Sequence, residues 1–173
     1  IFRLTNQYDS SFYYLKKLMV QNPDNAAWIR KDIGATFLLK NEYDSALAIL
    51  QESLAFYKKN DPVGRALSPI LLYMGSAYAG KNEYATALPY AREGMALTLK
   101  IGSRSDELKG YELLSGIYHH LGNNDSAYQY LFKYLTLKDS VQNRQFIFRL
   151  NNYKKVAEDT IKEARIGLLN KDN

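Results

Sequence analysis

The two histidines, His119 and His120, are the side chains best suited by type to bind a metal or transfer a proton. They are adjacent in a stretch with helical periodicity, so their side chains point about 100° apart around the helix axis. A helical metal site uses ligands one turn apart, as in an i, i+4 pair. The pair therefore indicates residues that line a groove or face solvent.

Other side chains that could support catalysis are absent from the sequence or poorly placed. The chain has no cysteine, which excludes disulfides, thiolate zinc sites and a cysteine nucleophile. The carboxylate pairs Asp106-Glu107 and Glu158-Asp159 fall at predicted helix starts or on polar faces, where solvated charge is the usual role. No strand is predicted, so no glycine-rich loop after a strand could cradle a phosphate. We expect no catalytic residue, no metal, no cofactor and no enzymatic activity.

Charge and aromatic content do not favour nucleic acid as a partner. The net charge is +5, but basic residues alternate with acidic ones, and only residues 141–173 are locally basic. Of the fifteen tyrosines, those with a clear helical register fall on the packing side, which favours core tyrosine over base stacking. These packing tyrosines are Tyr43, Tyr78, Tyr84, Tyr111 and Tyr118. No apolar run reaches the ~18 residues that a membrane span needs, and residues 1–4 do not resemble a signal peptide.

A six-residue phrase recurs along the chain and defines the elements that position these side chains. It appears as Asn6-Gln-Tyr-Asp-Ser-Ser11, Asn41-Glu-Tyr-Asp-Ser-Ala46, Asn82-Glu-Tyr-Ala-Thr-Ala87 and, altered, Gly122-Asn-Asn-Asp-Ser-Ala127. The last residues of successive copies are 35, 41 and 40 positions apart. A fixed period of this length is typical of stacked repeats.

Each repeat is predicted to contain two helices joined at this phrase. Apolar residues at spacings of three and four predict helices that end near Leu39, Asn60, Gly80 and Ile101. We predict a second helix of a truncated repeat over 1–22, full repeats over 23–60, 61–101 and 103–138, and a capping or coiled-coil-like helix over 139–173. Because the phrase already occurs at residue 6, we expect the chain to be part of a longer protein.

Small residues recur at one position of the first helix in each repeat, followed three residues later by an aromatic and twelve residues later by alanine. The three sets are Gly34, Phe37 and Ala46; Gly75, Tyr78 and Ala87; and Ser115, Tyr118 and Ala127. This pattern resembles the tetratricopeptide repeat, with repeats longer than the family's usual length. The resemblance implies an all-α, right-handed superhelical solenoid of antiparallel helix pairs that ends in a long C-terminal helix.

The resemblance also implies a concave partner-binding groove lined by the first helices. The positions expected to be exposed there are Trp28, Lys31, Ala35, Leu38, Leu72, Ser76, Lys109, Glu112 and His119. Some relatives clamp a C-terminal carboxylate with lysines, asparagines and an arginine. Lys31 and Lys109 fit that set, but Ala35, Tyr73 and Leu113 occupy the other positions, so a carboxylate clamp is not expected.

The leading functional hypothesis is a binding module that holds a protein or peptide segment in this groove. The repeats resemble those in the sensory or scaffolding regions of Bacteroidota sensor kinases and regulators. This resemblance is compatible with either a periplasmic or a cytoplasmic location. An alternative is a spacer that dimerises through the C-terminal helix, on the rhythm of Phe146, Leu150, Tyr153 and Ala157. A third is the repeat domain of a peptide-sensing transcriptional regulator.

Overall fold

A computed structural model describes residues 8–22, 26–61 and 63–169. In these ranges the chain is all-α, without strands, as predicted. The helices are α1 (Tyr8–Gln21), α2 (Ala26–Leu39), α3 (Tyr43–Asn60), α4 (Leu67–Gly80), α5 (Tyr84–Ile101), α6 (Arg104–His120) and α7 (Asn124–Leu169). The predicted helix ends at Leu39, Asn60, Gly80 and Ile101 are confirmed. The chain divides into two compact units, Ile1–Tyr134 and Leu135–Asn173.

In the first unit each helix packs mainly on its neighbours in sequence. The hairpins α2–α3 and α4–α5 have the most extensive contacts, and α4 and α6 each also pack on the preceding hairpin. The helix α6 joins the start of α7 through Ser115, whose hydroxyl donates a hydrogen bond to the Ala127 carbonyl at 3.0 Å. The first helices also touch one another, α2 with α4 and α4 with α6.

The recurring phrase forms the corner between the two helices of a hairpin, and its first residue has a left-handed backbone. The φ angles are 60° at Asn41, 64° at Asn82 and 76° at Gly122. Asparagine and glycine are the residues that adopt this region most readily. The next residue donates its N–H to a carbonyl five positions back, as from Glu42 to Phe37 at 3.0 Å. This bond closes a Schellman motif and satisfies an end carbonyl of the first helix.

A tyrosine two residues after the corner asparagine holds that asparagine in place. The Tyr43 hydroxyl donates to Asn41 Oδ1 at 2.9 Å, and the Tyr84 hydroxyl donates to Asn82 Oδ1 at 2.9 Å. The Tyr43 ring also packs where a Cβ on Gly80 would stand. The phrase therefore encodes both a chain reversal and a contact with the next hairpin.

The repeated small residues mark close helix contacts. A Cβ on Gly34 would lie 2.6 Å from Leu50 Cγ, so only glycine fits without movement. The alanines of the phrase, Ala46 and Ala87, are fully buried in successive core clusters. The aromatic of the first helix stacks on a tyrosine twelve residues later, Tyr78 on Tyr90 and Tyr118 on Tyr130. Burial raises the pKa of Tyr78, and the neighbouring Tyr90 and Glu83 add to the shift.

The helix α7 runs through Lys138-Asp139-Ser140, where we had expected a change of element. The two helical stretches predicted on either side of these residues are therefore parts of one helix. Its residues from Leu135 belong to the second unit. The side chains of Phe146, Leu150, Tyr153 and Ala157 lie outside the described part of the chain, so dimerisation through them stays a prediction.

Candidate functional site

A cleft of about 230 Å³ opens between the first helices α4 and α6. Six side chains line it: Leu72, Tyr73 and Ser76 from α4, and Lys109, Glu112 and Leu113 from α6. Four of these, Leu72, Ser76, Lys109 and Glu112, belong to the groove set predicted from the sequence. The structure thus brings together part of that set at one place in the first unit.

The floor of the cleft is apolar. Leu72 is only 2% exposed, and Leu113 is half-buried beside it. Leu72 is seated deeply because α5 passes close by at Gly94, where a Cβ would lie 3.0 Å from Leu72 Cγ. The Ser76 hydroxyl donates to the Leu72 carbonyl at 2.9 Å within its own helix. Because that hydroxyl already donates a hydrogen bond within its own helix, Ser76 contributes to the cleft mainly through its small size.

The rim of the cleft is polar and carries both signs of charge. Lys109 Nζ lies 3.4 Å from the Tyr73 hydroxyl and 5.3 Å from the centre of the Tyr73 ring. The same ammonium lies 3.6 Å from Asp106 Oδ1, which partly neutralises it. Glu112 is exposed and makes no ion pair within the described residues. A ligand in the cleft would therefore meet two charged groups. The Lys109 ammonium is partly neutralised by Asp106, and the Glu112 carboxylate has no ion-pair partner among the described residues.

The remaining predicted residues lie outside this cleft. On α2, Lys31 Nζ lies 4.9 Å from the centre of the Trp28 ring, a cation–π contact, while half of the Trp28 surface stays exposed. Leu38 is half-buried and packs against the core cluster shared by α3 and α4. His119 is exposed at the end of α6.

The expectation that the whole groove set is exposed is wrong for Ala35 and Leu72. Ala35 is 6% exposed because α2 packs against α1, α3 and α4, which leaves little room around a short side chain. Leu72 is buried because the glycines of α5 and α6 let those helices approach it. Leu72 still contributes to the cleft, but as its floor.

Sequence reasoning missed two cleft residues, Tyr73 and Leu113. Both had been noted only as departures from a carboxylate clamp. Each precedes the repeated small residue, Gly75 or Ser115, by two positions, so their common register was the signal that could have identified them. Since α4 and α6 are neighbours, residues at one register meet across the groove.

The two histidines have different surroundings, although their ring centroids lie 5.6 Å apart. The His120 ring stacks on Tyr84, with centroids 4.2 Å apart and planes within 6°. His120 thus occupies the place that Gly80 has beneath Tyr43 in the preceding repeat. Across residues 8–22, 26–61 and 63–169, no three histidine or carboxylate side chains converge on a point that could hold a metal. The geometry of the cleft suits apolar binding with a polar rim.

Comparison with known proteins gives no match, either among family models or among curated proteins. Among the helices of the described residues, none combines the length and apolar character required to span a bilayer. Function is therefore inferred from the geometry of the described residues.

Proposed function

We propose that this chain is a non-enzymatic binding module of the tetratricopeptide type that holds a peptide or protein segment across α2, α4 and α6. In this proposal the hairpins form a right-handed superhelix, and the module is the sensory or scaffolding part of a larger bacterial signalling protein. Two observations support this proposal. The corner with a left-handed first residue occurs three times, and the helices pack on near neighbours in sequence. Such nearest-neighbour packing is typical of solenoid proteins.

The observation that carries the binding role is the cleft between α4 and α6. Its volume of about 230 Å³ lies below the ~300–1,000 Å³ of sites that enclose drug-sized ligands. A cleft of this size takes an apolar side chain of a longer ligand on Leu72 and Leu113. The segment would continue past the half-exposed Trp28, because α2 adjoins α4. Tryptophan and tyrosine are enriched where interfaces form.

Affinity of selected peptides for variants of the cleft would test this role. A phage library of random 16-residue peptides would be selected on the full chain, and the recovered peptides titrated by calorimetry. We expect Ser76→Arg, which fills the cleft, to weaken binding by about tenfold or more, as loss of a central anchor does. Lys109→Glu is expected to change both affinity and peptide preference.

A matched control is Lys100→Glu, the same charge reversal on exposed α5, which should leave affinity within about twofold. Circular dichroism and thermal unfolding would establish that each variant is folded. Selected peptides that bind Ser76→Arg as well as the unmodified chain would refute the cleft as the binding site.

A further inference from the structure

The start of α7 presents an apolar surface to solvent. Its exposed residues, called the end face here, are Tyr128, Leu131 and Phe132, all within the first unit. Tyr128 is 70% exposed and Leu131 43%, and Phe132 is largely exposed as well. They are spaced at i, i+3 and i+4 on one side of the helix. Large exposed patches of this kind mark interaction sites more often than single exposed residues do.

The same face occurs earlier in the chain, where it is covered. Leu50 of α3 precedes Leu131 by 81 positions and is the same residue type. It is fully buried, in a core cluster that includes Ile70, Leu71, Met74 and Ala77 of α4. The face of α5 is covered in the same way by Leu114, Ile117 and Tyr118 of α6. The molecule thus contains two examples of what packs on this surface.

In both covered examples the covering helix brings a small residue to the contact. A Cβ on Gly110 of α6 would lie 2.5 Å from Met95 Sδ, and Gly80 of α4 lies under the Tyr43 ring. A second copy of α7 would offer the bulky Tyr128, Leu131 and Phe132 instead. Since small residues set how closely two helices approach, self-pairing reproduces this packing poorly.

The end face is also wider than its covered counterparts. Phe132 stands where α3 has Gln51 and α5 has Arg92, whose Nε donates to the Tyr118 hydroxyl at 2.8 Å. The three residues of the end face carry no charge. An occupant that matches them is therefore apolar along its whole contact side.

We propose that the end face binds an amphipathic helix supplied by another protein. That helix carries large aliphatic residues spaced like Ile70, Leu71 and Met74, and a small residue in the place of Ala77. It packs across α7 as α4 packs across α3, with Leu131 at the centre. This site is separate from the cleft between α4 and α6, so either site can exist without the other.

A fluorescent peptide with the α4 sequence, residues 66–81, is a direct probe because α4 covers the matching Leu50. Fluorescence anisotropy with the full chain should show saturable binding at concentrations up to about 1 mM. Leu131→Glu should weaken binding by about tenfold or more, because it places a charge at the centre of an apolar contact. A peptide carrying Met74→Asp should not bind.

The matched control is Leu99→Glu, which makes the same change at a leucine of α5 that is 54% exposed. It should leave peptide affinity within about twofold. Phe132→Glu gives an independent variant of the end face if Leu131→Glu is poorly folded. Absence of binding, or equal binding by the variants of Leu131 and Leu99, would overturn the proposal. So would a concentration-dependent dimer in sedimentation that Leu131→Glu abolishes, since a second copy would then occupy the face.

Discussion

The first and third hairpins have the same backbone corner but hold it with different side chains. Asn41 and Gly122 both adopt a left-handed φ, and the N–H after each bonds a carbonyl five residues back. In the first hairpin Tyr43 fixes the asparagine side chain. In the third, glycine replaces asparagine and Asn124 replaces tyrosine, so both partners of that hydrogen bond are absent together. The repeat therefore preserves a backbone conformation, and the side chains that support it can vary.

The two hairpins also place identical leucines in different surroundings. Leu50 is 0% exposed, whereas Leu131 at the same register is 43% exposed. The difference comes from α4, which covers the first face from outside the hairpin. Burial at this position thus depends on the neighbouring hairpin as well as on the Gly34 contact within the hairpin, and substitutions at the two leucines should separate local from neighbour effects.

The largest expected effect is at this pair of leucines. Leu50→Ala should lower the free energy of unfolding by about 3 kcal/mol, because it removes a fully buried side chain and leaves a cavity. Leu131→Ala should lower it by no more than about 1 kcal/mol, because much of that side chain already contacts water. Urea unfolding followed by circular dichroism measures both. Equal losses would mean that the two faces are covered alike in solution.

A smaller effect is expected at the small residues that recur at one register of the first helices. Gly34→Ala should destabilise the chain by about 1–3 kcal/mol, since the added methyl group would overlap the buried Leu50. Ser115→Ala, at the same register in the third hairpin, should change stability by less than about 1 kcal/mol, because it loses one hydrogen bond and gains helix propensity. If Gly34→Ala were neutral, Leu50 would have room that the packing does not indicate.

Much of this architecture is local enough to be predicted from the sequence. Helix ends at Leu39 and Gly80 follow from apolar periodicity and from the corner phrase, which act within a few residues. The close contact at Gly34 was predictable because the small residue recurs at a fixed distance from the alanine of the phrase. By contrast, the join between the two helices was predicted at the phrase, but the left-handed backbone of its asparagine was not.

The candidate site was less predictable because exposure depends on contacts between hairpins. Leu72 occupies a groove register, yet the approach of α5 at Gly94 buries it. Tyr73 was considered only as a departure from the carboxylate clamp, although its ring and hydroxyl position Lys109 at the rim of the cleft. The exposure of Leu131 was also missed, because it depends on whether another helix covers that face from outside the hairpin. These features depend on how neighbouring repeats pack against one another, and the periodicity of the sequence does not determine that packing.

The corner itself should tolerate glycine better than alanine. Asn41→Ala should cost about 1 kcal/mol, because alanine is strained at positive φ and loses the bond to Tyr43. Asn41→Gly should stay within about 0.5 kcal/mol, since glycine adopts this φ freely. Gly122→Ala should again cost about 1 kcal/mol from φ alone, because apart from its chain neighbours no atom of the described residues lies within 4 Å of its Cβ position. Thermal unfolding of the three variants would distinguish a backbone requirement from a side-chain requirement.

The smallest expected effect concerns Asp61, whose carboxylate binds backbone N–H groups at the start of α4, the helix that covers Leu50. Asp61 accepts hydrogen bonds from the backbone N–H groups of Gly64, Ala66 and Leu67 at 2.9, 2.6 and 3.1 Å. Partial burial raises the pKa of Asp61, but these backbone bonds outweigh it and lower the pKa below its ordinary value of 3.8. Because the folded state favours the charged form, the stabilisation is present above about pH 4 and is lost as the pH falls through the lowered pKa.

Asp61→Asn should therefore flatten the fall in melting temperature between about pH 5 and pH 2, because asparagine accepts similar bonds without titrating. Asp125→Asn in the third hairpin is the control, since its carboxylate receives no hydrogen bond from the described residues and should leave the slope unchanged. Differential scanning calorimetry across this range measures both slopes. Parallel curves for the unmodified chain and Asp61→Asn would mean that α4 is held on α3 by its apolar contacts alone, without help from this carboxylate.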